Sequence, residues 1–201
     1  EAKYVQSKRE NAPLAVILHP HPEYGGTMNN KVVYHAYHTF LKNGFSVCRF
    51  NFRGVGKSEG KFDNGLGELS DAAAALDFIQ RNNSNSNESW VIGFSFGALI
   101  SMQLLMRRPE IFRFISISPQ PNIFDFNFLA PCPTSGLVIH GDQDQLVPND
   151  TMLILKEKLV SQKNITVDFN LIKGANHFFT NKEEDLVESI NSYIKKESRL
   201  F

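Results

Sequence analysis

Cysteine is almost missing from this chain: two residues, Cys48 and Cys132, in 201. Cys48 lies in an apolar run and Cys132 stands between two prolines, so both read as unpaired thiols and no disulfide framework organises the fold. A reducing compartment, the cytoplasm, is the expected location. An excess of one charge is missing too, because lysine plus arginine and aspartate plus glutamate both number 21. Zero net charge removes the electrostatic case for nucleic acid or an anionic membrane surface as partner. No apolar run approaches the roughly 20 residues that a membrane-spanning helix needs. Residues 1–11 are polar and lack the apolar centre of a signal peptide. Internal repeats and domain-scale shifts in composition are absent as well. What these exclusions leave is one domain over residues 1–201, large enough to bury a continuous core. Its expected partner is a small molecule, and the sequence sets no oligomeric state.

Against that background one stretch stands out, residues 90–100, Trp-Val-Ile-Gly-Phe-Ser-Phe-Gly-Ala-Leu-Ile. An apolar run ends in Gly-x-Ser-x-Gly and passes at once into a helix-compatible run, the strand, sharp turn and helix order of a nucleophile elbow. Where a strand reverses into a helix over a single residue, Cβ atoms two positions either side of the serine have no room. Ser95 is thereby expected at the sheet edge with a strained backbone, beside the free N–H groups of a helix start.

The rest of the chain alternates strands and helices. A short edge strand over residues 2–7 precedes the apolar run 14–18, of the kind buried on both faces of a parallel sheet. The loop His19-Pro20-His21-Pro22-Glu23-Tyr24-Gly25-Gly26 follows, then a helix to about Lys42 stopped by Gly44, and a buried strand over 45–52. A helix over 66–81 leads into the Ser95 strand, and the helix after the elbow runs to about Arg107 before Pro109 bars it. Further strands are expected over 112–118, 137–140 and 165–172, the last an edge strand, with helices over 149–161 and 182–196. The long loop 119–133, with Phe124, Phe126 and Phe128, is too short for a cap domain. This alternation predicts a doubly wound, mainly parallel sheet with helices on both faces and sites at the carboxyl ends of its strands.

Ser95, Asp144 and His177 each fall in a loop directly after a strand. Serine needs an adjacent base, and a histidine base needs a carboxylate to fix its tautomer. The chain order serine, aspartate, histidine is the one this arrangement uses. Asp142 is the alternative acid. The oxyanion would be held by the N–H of Phe96 and one from the first loop; Pro20 and Pro22 have none, leaving His21, with Tyr24 as fallback. Tyr24, Phe94, Phe124 and Phe178 are candidates for a substrate pocket, packing being the default role for most nearby aromatics, Phe96, Phe126, Phe128 and Phe179 among them. Asn51 to Ser58 carries part of a phosphate-binding loop but lacks its first glycine and has no helix directly after it. A metal at His19, His21 and His177 lacks a carboxylate or fourth ligand, so no metal or cofactor is expected. His35 and His38 read as surface residues, His140 as the end of a strand, and Arg53 as a loop anchor that pairs with a carboxylate.

Over nearly its whole length the chain resembles the α/β-hydrolase superfamily, in particular small lidless bacterial members related to dienelactone hydrolase. The segments that carry the resemblance are His19 to Pro22 with Gly25 and Gly26, then 51–58, 93–97, 141–148 and 174–179. It implies a nucleophile, acid and base at Ser95, Asp144 and His177, a serine hydrolase without a cap domain, and an ester or thioester as acyl substrate. Serine replaces the cysteine of dienelactone hydrolase proper, and His19-Pro20 replaces the more frequent His-Gly.

Overall fold

The structure, a computed structural model, describes residues 1–198; the last three residues of the expected 1–201 domain lie outside it. Seven strands form one sheet in the order β1-β3-β2-β4-β5-β6-β7. They are β1 (Ala2–Val5), β2 (Leu14–Leu18), β3 (Ser46–Phe50), β4 (Ser89–Phe94), β5 (Ile111–Ile117), β6 (Gly136–Gly141) and β7 (Val167–Ile172). Only β1 runs antiparallel, pairing Ala2 with Phe50 and Val5 with Val47, while every other pair is parallel. Four helices lie between strands, α1 (Lys31–Lys42), α2 (Leu66–Arg81), α3 (Phe96–Leu105) and α4 (Asn149–Val160), and α5 (Glu183–Glu197) follows the last.

Side chains alternate across a strand, and that alternation divides the core in two. Val16, Cys48, Val91, Phe114 and Val138 point toward α2, α3 and α4. Ala15, Val47, Trp90, Ile92, Ile115 and Ile139 point toward α1 and α5. Because both faces are covered, β2 is apolar throughout and β4 is apolar from Trp90 to Phe94, which is why they read as continuous runs rather than alternating ones. α3 is buried almost all round and shows little amphipathic patterning, as expected of a helix packed beneath its neighbours.

The predicted elements are all present; β2 and α2 have the expected bounds, and the ends of others differ by a few residues. The strand expected over 45–52 stops at Phe50, and the helix expected to 107 stops at Leu105. The edge strand begins at Val167 rather than 165. The loop 119–133 is better anchored than expected: a 3-10 turn at Asn127–Leu129 carries Phe126 and Leu129 into the core, and Gln120 and Cys132 are buried toward its two ends. Among the described residues no element stands apart from the sheet as a cap, and no helix is long and apolar enough to cross a membrane.

On the α1/α5 side, Phe45 packs edge-on against Phe40 at 4.9 Å and against Trp90 at 5.7 Å. Both rings are fully buried, and Trp90 is the single tryptophan, hence a built-in fluorescent reporter. Phe45→Ala is expected to cost about 3–5 kcal/mol of stability. Urea unfolding followed by Trp90 fluorescence checks this as a fall in the midpoint at unchanged slope.

Candidate active site

The order of strands reverses at β2, which has β3 on one side and β4 on the other, and such a switch point opens a crevice at the carboxyl ends. Register places Leu18, the last residue of β2, opposite Gly93 of β4, so the loops after both strands leave the sheet side by side. Ser95 lies two residues beyond Gly93 with φ 57° and ψ −117°, a conformation that costs an ordinary L-residue of order 1–3 kcal/mol. The two flanking glycines make this turn possible. A Cβ on Gly93 would sit 2.1 Å from the carbonyl oxygen of Gly97, and one on Gly97 would sit 2.5 Å from that of Leu18 and 2.6 Å from that of His19. The first turn of α3 therefore rests directly on the backbone at the end of β2.

Three strand-end loops converge here. His177, five residues after β7, places Nε2 3.0 Å from Ser95 Oγ, and its Nδ1 lies 2.7 Å from Oδ2 of Asp144, three residues after β6. The other oxygen of Asp144 accepts the N–H groups of Leu146 and Val147 at 2.8 and 3.0 Å. Burial alone would raise its pKa, but the hydrogen bond from His177 and those two N–H groups outweigh burial and hold the carboxyl below its ordinary value. Asp142, the alternative acid, is used elsewhere, accepting the Gly174 N–H at 2.6 Å. The Phe94 ring packs 5.3 Å from His177 and is fully buried, so it supports the imidazole instead of lining a pocket as expected. A strand residue next to the elbow points into the sheet's α5-side core, which is the physical reason.

The first loop folds onto the same place. His19 is fully buried; its Nδ1–H donates to the Pro20 carbonyl at 2.6 Å and its Nε2 accepts the Phe52 N–H at 3.0 Å. Both ring nitrogens are occupied, so His19 ties two strand-end loops together and has no lone pair left for a metal. Burial pushes its pKa down to about 4, against a smaller upward pull from the Pro20 carbonyl. The Tyr24 N–H is spent on the His21 carbonyl at 3.2 Å, whereas the His21 N–H bonds to no described residue. Phe96 is the first residue of α3, where helical N–H groups lack intrahelical acceptors. The His21 and Phe96 rings lie 4.9 Å apart, which packs the first loop onto the start of α3.

A pocket of about 550 Å³ opens over Ser95 and His177, walled by Tyr24, Ile123, Phe124, Leu146 and Phe178. One member of its wall was not anticipated from the sequence. Gln120, in the loop after β5, accepts the Ser95 hydroxyl at Oε1 over 3.1 Å. Its place after a strand end was the available signal, obscured because glutamine is not a titrating residue. A second cleft of similar volume lies between β7 and α5, where Lys182 pairs with Asp185 and Lys196 with Asp168.

The remaining sequence candidates take structural places. The 51–58 segment is followed by loop until α2 begins at Leu66, so no helix N-terminus faces it. Arg53 anchors this loop on α2 through Asp71, Nη2 to Oδ1 at 2.8 Å and backbone N–H to Oδ2 at 2.9 Å. His35 and His38 pack on the Tyr34 ring. His140 is buried 3.7 Å from Asp144. Among the described residues no three His, Cys, Asp or Glu side chains gather as a metal site requires.

A model of the X-Pro dipeptidyl-peptidase (S15) family matches residues 5–128, which take in the first loop and the elbow. The chain belongs to this family of α/β-hydrolases. An uncharacterized protein of Rickettsia prowazekii (strain Madrid E) is 52% identical over 198 residues, 96% of this chain and 83% of that protein. A crystal structure of a protein of unknown function from Agrobacterium tumefaciens, assigned provisionally to the α/β-hydrolases, is 53% identical with a TM-score of 0.94. The match covers 97% of this chain and 89% of that one. A lidless α/β serine hydrolase from Xanthomonas campestris is 30% identical with a TM-score of 0.83, over 97% of this chain and 87% of that one. Among its described residues this α/β-hydrolase likewise carries no separate cap element.

The buried imidazole of His19 makes the stability of this α/β-hydrolase depend on pH. The unfolded chain takes up a proton at His19 near its ordinary 6.5, the folded chain only near 4, so the unfolded state binds more protons between those values. Stability is intact above pH 6.5 and is expected to fall by about 3 kcal/mol as pH drops toward 4. Urea midpoints measured from pH 7 to pH 4.5 check it, and His19→Gln should flatten the slope relative to wild type.

Proposed function

We propose that the protein is a serine hydrolase that cleaves a carboxylic ester or thioester through an acyl-enzyme on Ser95. The observation that carries this reading is the unbroken row from Ser95 Oγ to His177 Nε2 at 3.0 Å and from His177 Nδ1 to Asp144 Oδ2 at 2.7 Å. Asp144 fixes the tautomer with the proton on Nδ1, which leaves the Nε2 lone pair facing the hydroxyl. As Ser95 Oγ bonds to the substrate carbonyl carbon, its proton passes to Nε2, and the carboxylate stabilises the resulting imidazolium. The carbonyl oxygen becomes an oxyanion held by the N–H groups of Phe96 and His21; one such donor contributes about 2.7–4 kcal/mol in the subtilisin precedent. The imidazolium then gives its proton to the leaving oxygen or sulfur, the carbon bond to it breaks, and alcohol or thiol departs. Water attacks the acyl-enzyme by the same route in reverse, giving its proton to His177, releasing the acid and restoring the Ser95 hydroxyl.

The family model names an X-Pro dipeptidyl-peptidase, yet the pocket favours a neutral acyl group over a peptide. Its wall is made of Pro20, His21, Tyr24, Gly25, Gly26, Asn30, Gln120, Ile123, Phe124, Leu146 and Phe178 around Ser95 and His177, without a carboxylate. A peptide's terminal ammonium would lose water there and meet no counter-charge. The exposed apolar side chains Tyr24, Ile123, Leu146 and Phe178 suit an uncharged acyl chain instead. Zero net charge fits a small molecule better than nucleic acid, and no cofactor is assigned a part.

A fluorophosphonate is expected to label wild-type protein at Ser95 and to leave Ser95→Ala unlabelled, as mass spectrometry of the active-site peptide would read. On a short p-nitrophenyl ester, Asp144→Asn should lower kcat by roughly 10⁴-fold, the loss seen in the chymotrypsin-type precedent. Wild-type protein that neither turns over such an ester nor takes up the label would overturn the proposal.

A further inference from the structure

Gln120 sits where an apolar side chain would be the simpler choice. It is more than nine-tenths buried in the wall of the pocket, and its Oε1 accepts the Ser95 hydroxyl at 3.1 Å. That hydroxyl has one proton and two acceptors in reach, Gln120 Oε1 and His177 Nε2, so in the empty pocket the amide competes with the base. The backbone holds the residue firmly, since the Gln120 carbonyl accepts the N–H groups of both Ile123 and Phe124, two of the pocket's apolar walls. The other end of the amide has no such engagement. No described residue accepts from Nε2, and Nε2 is not among the sealed polar atoms, so it opens on the pocket. Asn30, the second amide of the wall, has spent its oxygen on the Val32 N–H at the start of α1. Gln120 thus presents two uncommitted N–H donors beside the reacting hydroxyl, in a pocket whose apolar wall is formed by Ile123, Phe124, Leu146 and Phe178.

We propose that Gln120 determines substrate specificity: its NH₂ group holds an oxygen acceptor carried by the acyl chain one or two atoms from the scissile carbonyl. The preferred substrates are then esters or thioesters of oxygenated acids, alkoxy, hydroxy or keto, rather than of plain fatty acids. A bound acceptor draws the amide toward the acyl chain and away from Ser95 Oγ, which hands the hydroxyl proton to His177. A plain acyl chain leaves the donors dry and unpaired, and that is how a hydrogen-bonding site rejects the analogue lacking the group. This inference rests on the acyl-enzyme reading of Ser95 and adds to it the chemical class of the acyl group.

The test compares p-nitrophenyl methoxyacetate with p-nitrophenyl butyrate, acyl chains of equal length that differ by one ether oxygen. Each kcat/KM is divided by the ester's own rate of hydroxide-catalysed hydrolysis, which removes intrinsic reactivity. Wild type is expected to favour the methoxyacetate by about tenfold on this scale, the worth of one well-made hydrogen bond. Gln120→Leu should bring the ratio to about one, and Gln120→Glu, which offers no N–H, should bring it to one or below. Loss of packing alone would lower both esters together and leave the ratio where wild type has it. A wild-type ratio near one overturns the inference without any variant, as does a ratio that survives in Gln120→Leu, or in Gln120→Met, which also lacks an N–H donor, if the leucine variant does not fold. Turnover of neither ester by wild type defeats the acyl-enzyme reading along with this one, whereas equal turnover of both defeats this one alone.

Discussion

The first turn of α3 lies against the last carbonyls of β2 with no space for a side chain between them, and the site depends on that contact. Gly97 is the residue that permits it, since any Cβ there would fall within 2.6 Å of two backbone oxygens. Because the contact is between backbones, it fixes Ser95, the first helical N–H groups and the loop from His19 to Gly26 in one arrangement, whatever the outer side chains are. Backbone contacts of this kind are stiffer than side-chain packing, because nothing in them has a rotamer to change. The two donors proposed to hold an oxyanion are thus set by the same approach that strains the serine.

The polar side chains around this contact satisfy one another in sequence. His19 joins the loops after β2 and β3, Asp144 takes two backbone N–H groups besides His177, and Arg53 pins the loop after β3 to α2. His19 and Asp144, both buried, would be costly if left unpaired, and each of the three is used to hold a loop that regular structure does not hold. The sheet supplies position, the loops supply chemistry, and the hydrogen bonds between loops make them as definite as the strands.

Much of this was legible in the sequence because the strongest signals were local. The Gly-x-Ser-x-Gly turn needs no tertiary knowledge, and continuous apolar runs such as 14–18 and 90–94 announce strands covered on both faces. Asp144 and His177 follow from the rule that such loops sit after strand ends, and Asp144 is the preferred acid there because Asp142 lies so close to the strand end; in the structure Asp142 accepts the Gly174 N–H. Phe94 was misplaced because strand alternation alone does not say which of two covered faces a residue joins; both are apolar here. Gln120 escaped for a different reason. Its role follows from where the loop after β5 turns, which the positive φ of Ser118 governs, and nothing in the residue type marks it.

The strain at Ser95 has a further meaning for how the molecule fails. A left-handed serine survives only while strand, helix and neighbouring strand together forbid its relaxation, so the reactive geometry is not a local property of five residues. Fraying of outer segments such as β1 or the tail of α5 leaves it untouched. When the central sheet parts, the turn springs back to ordinary dihedrals at once, and competence and native structure vanish in a single step rather than by gradual decay.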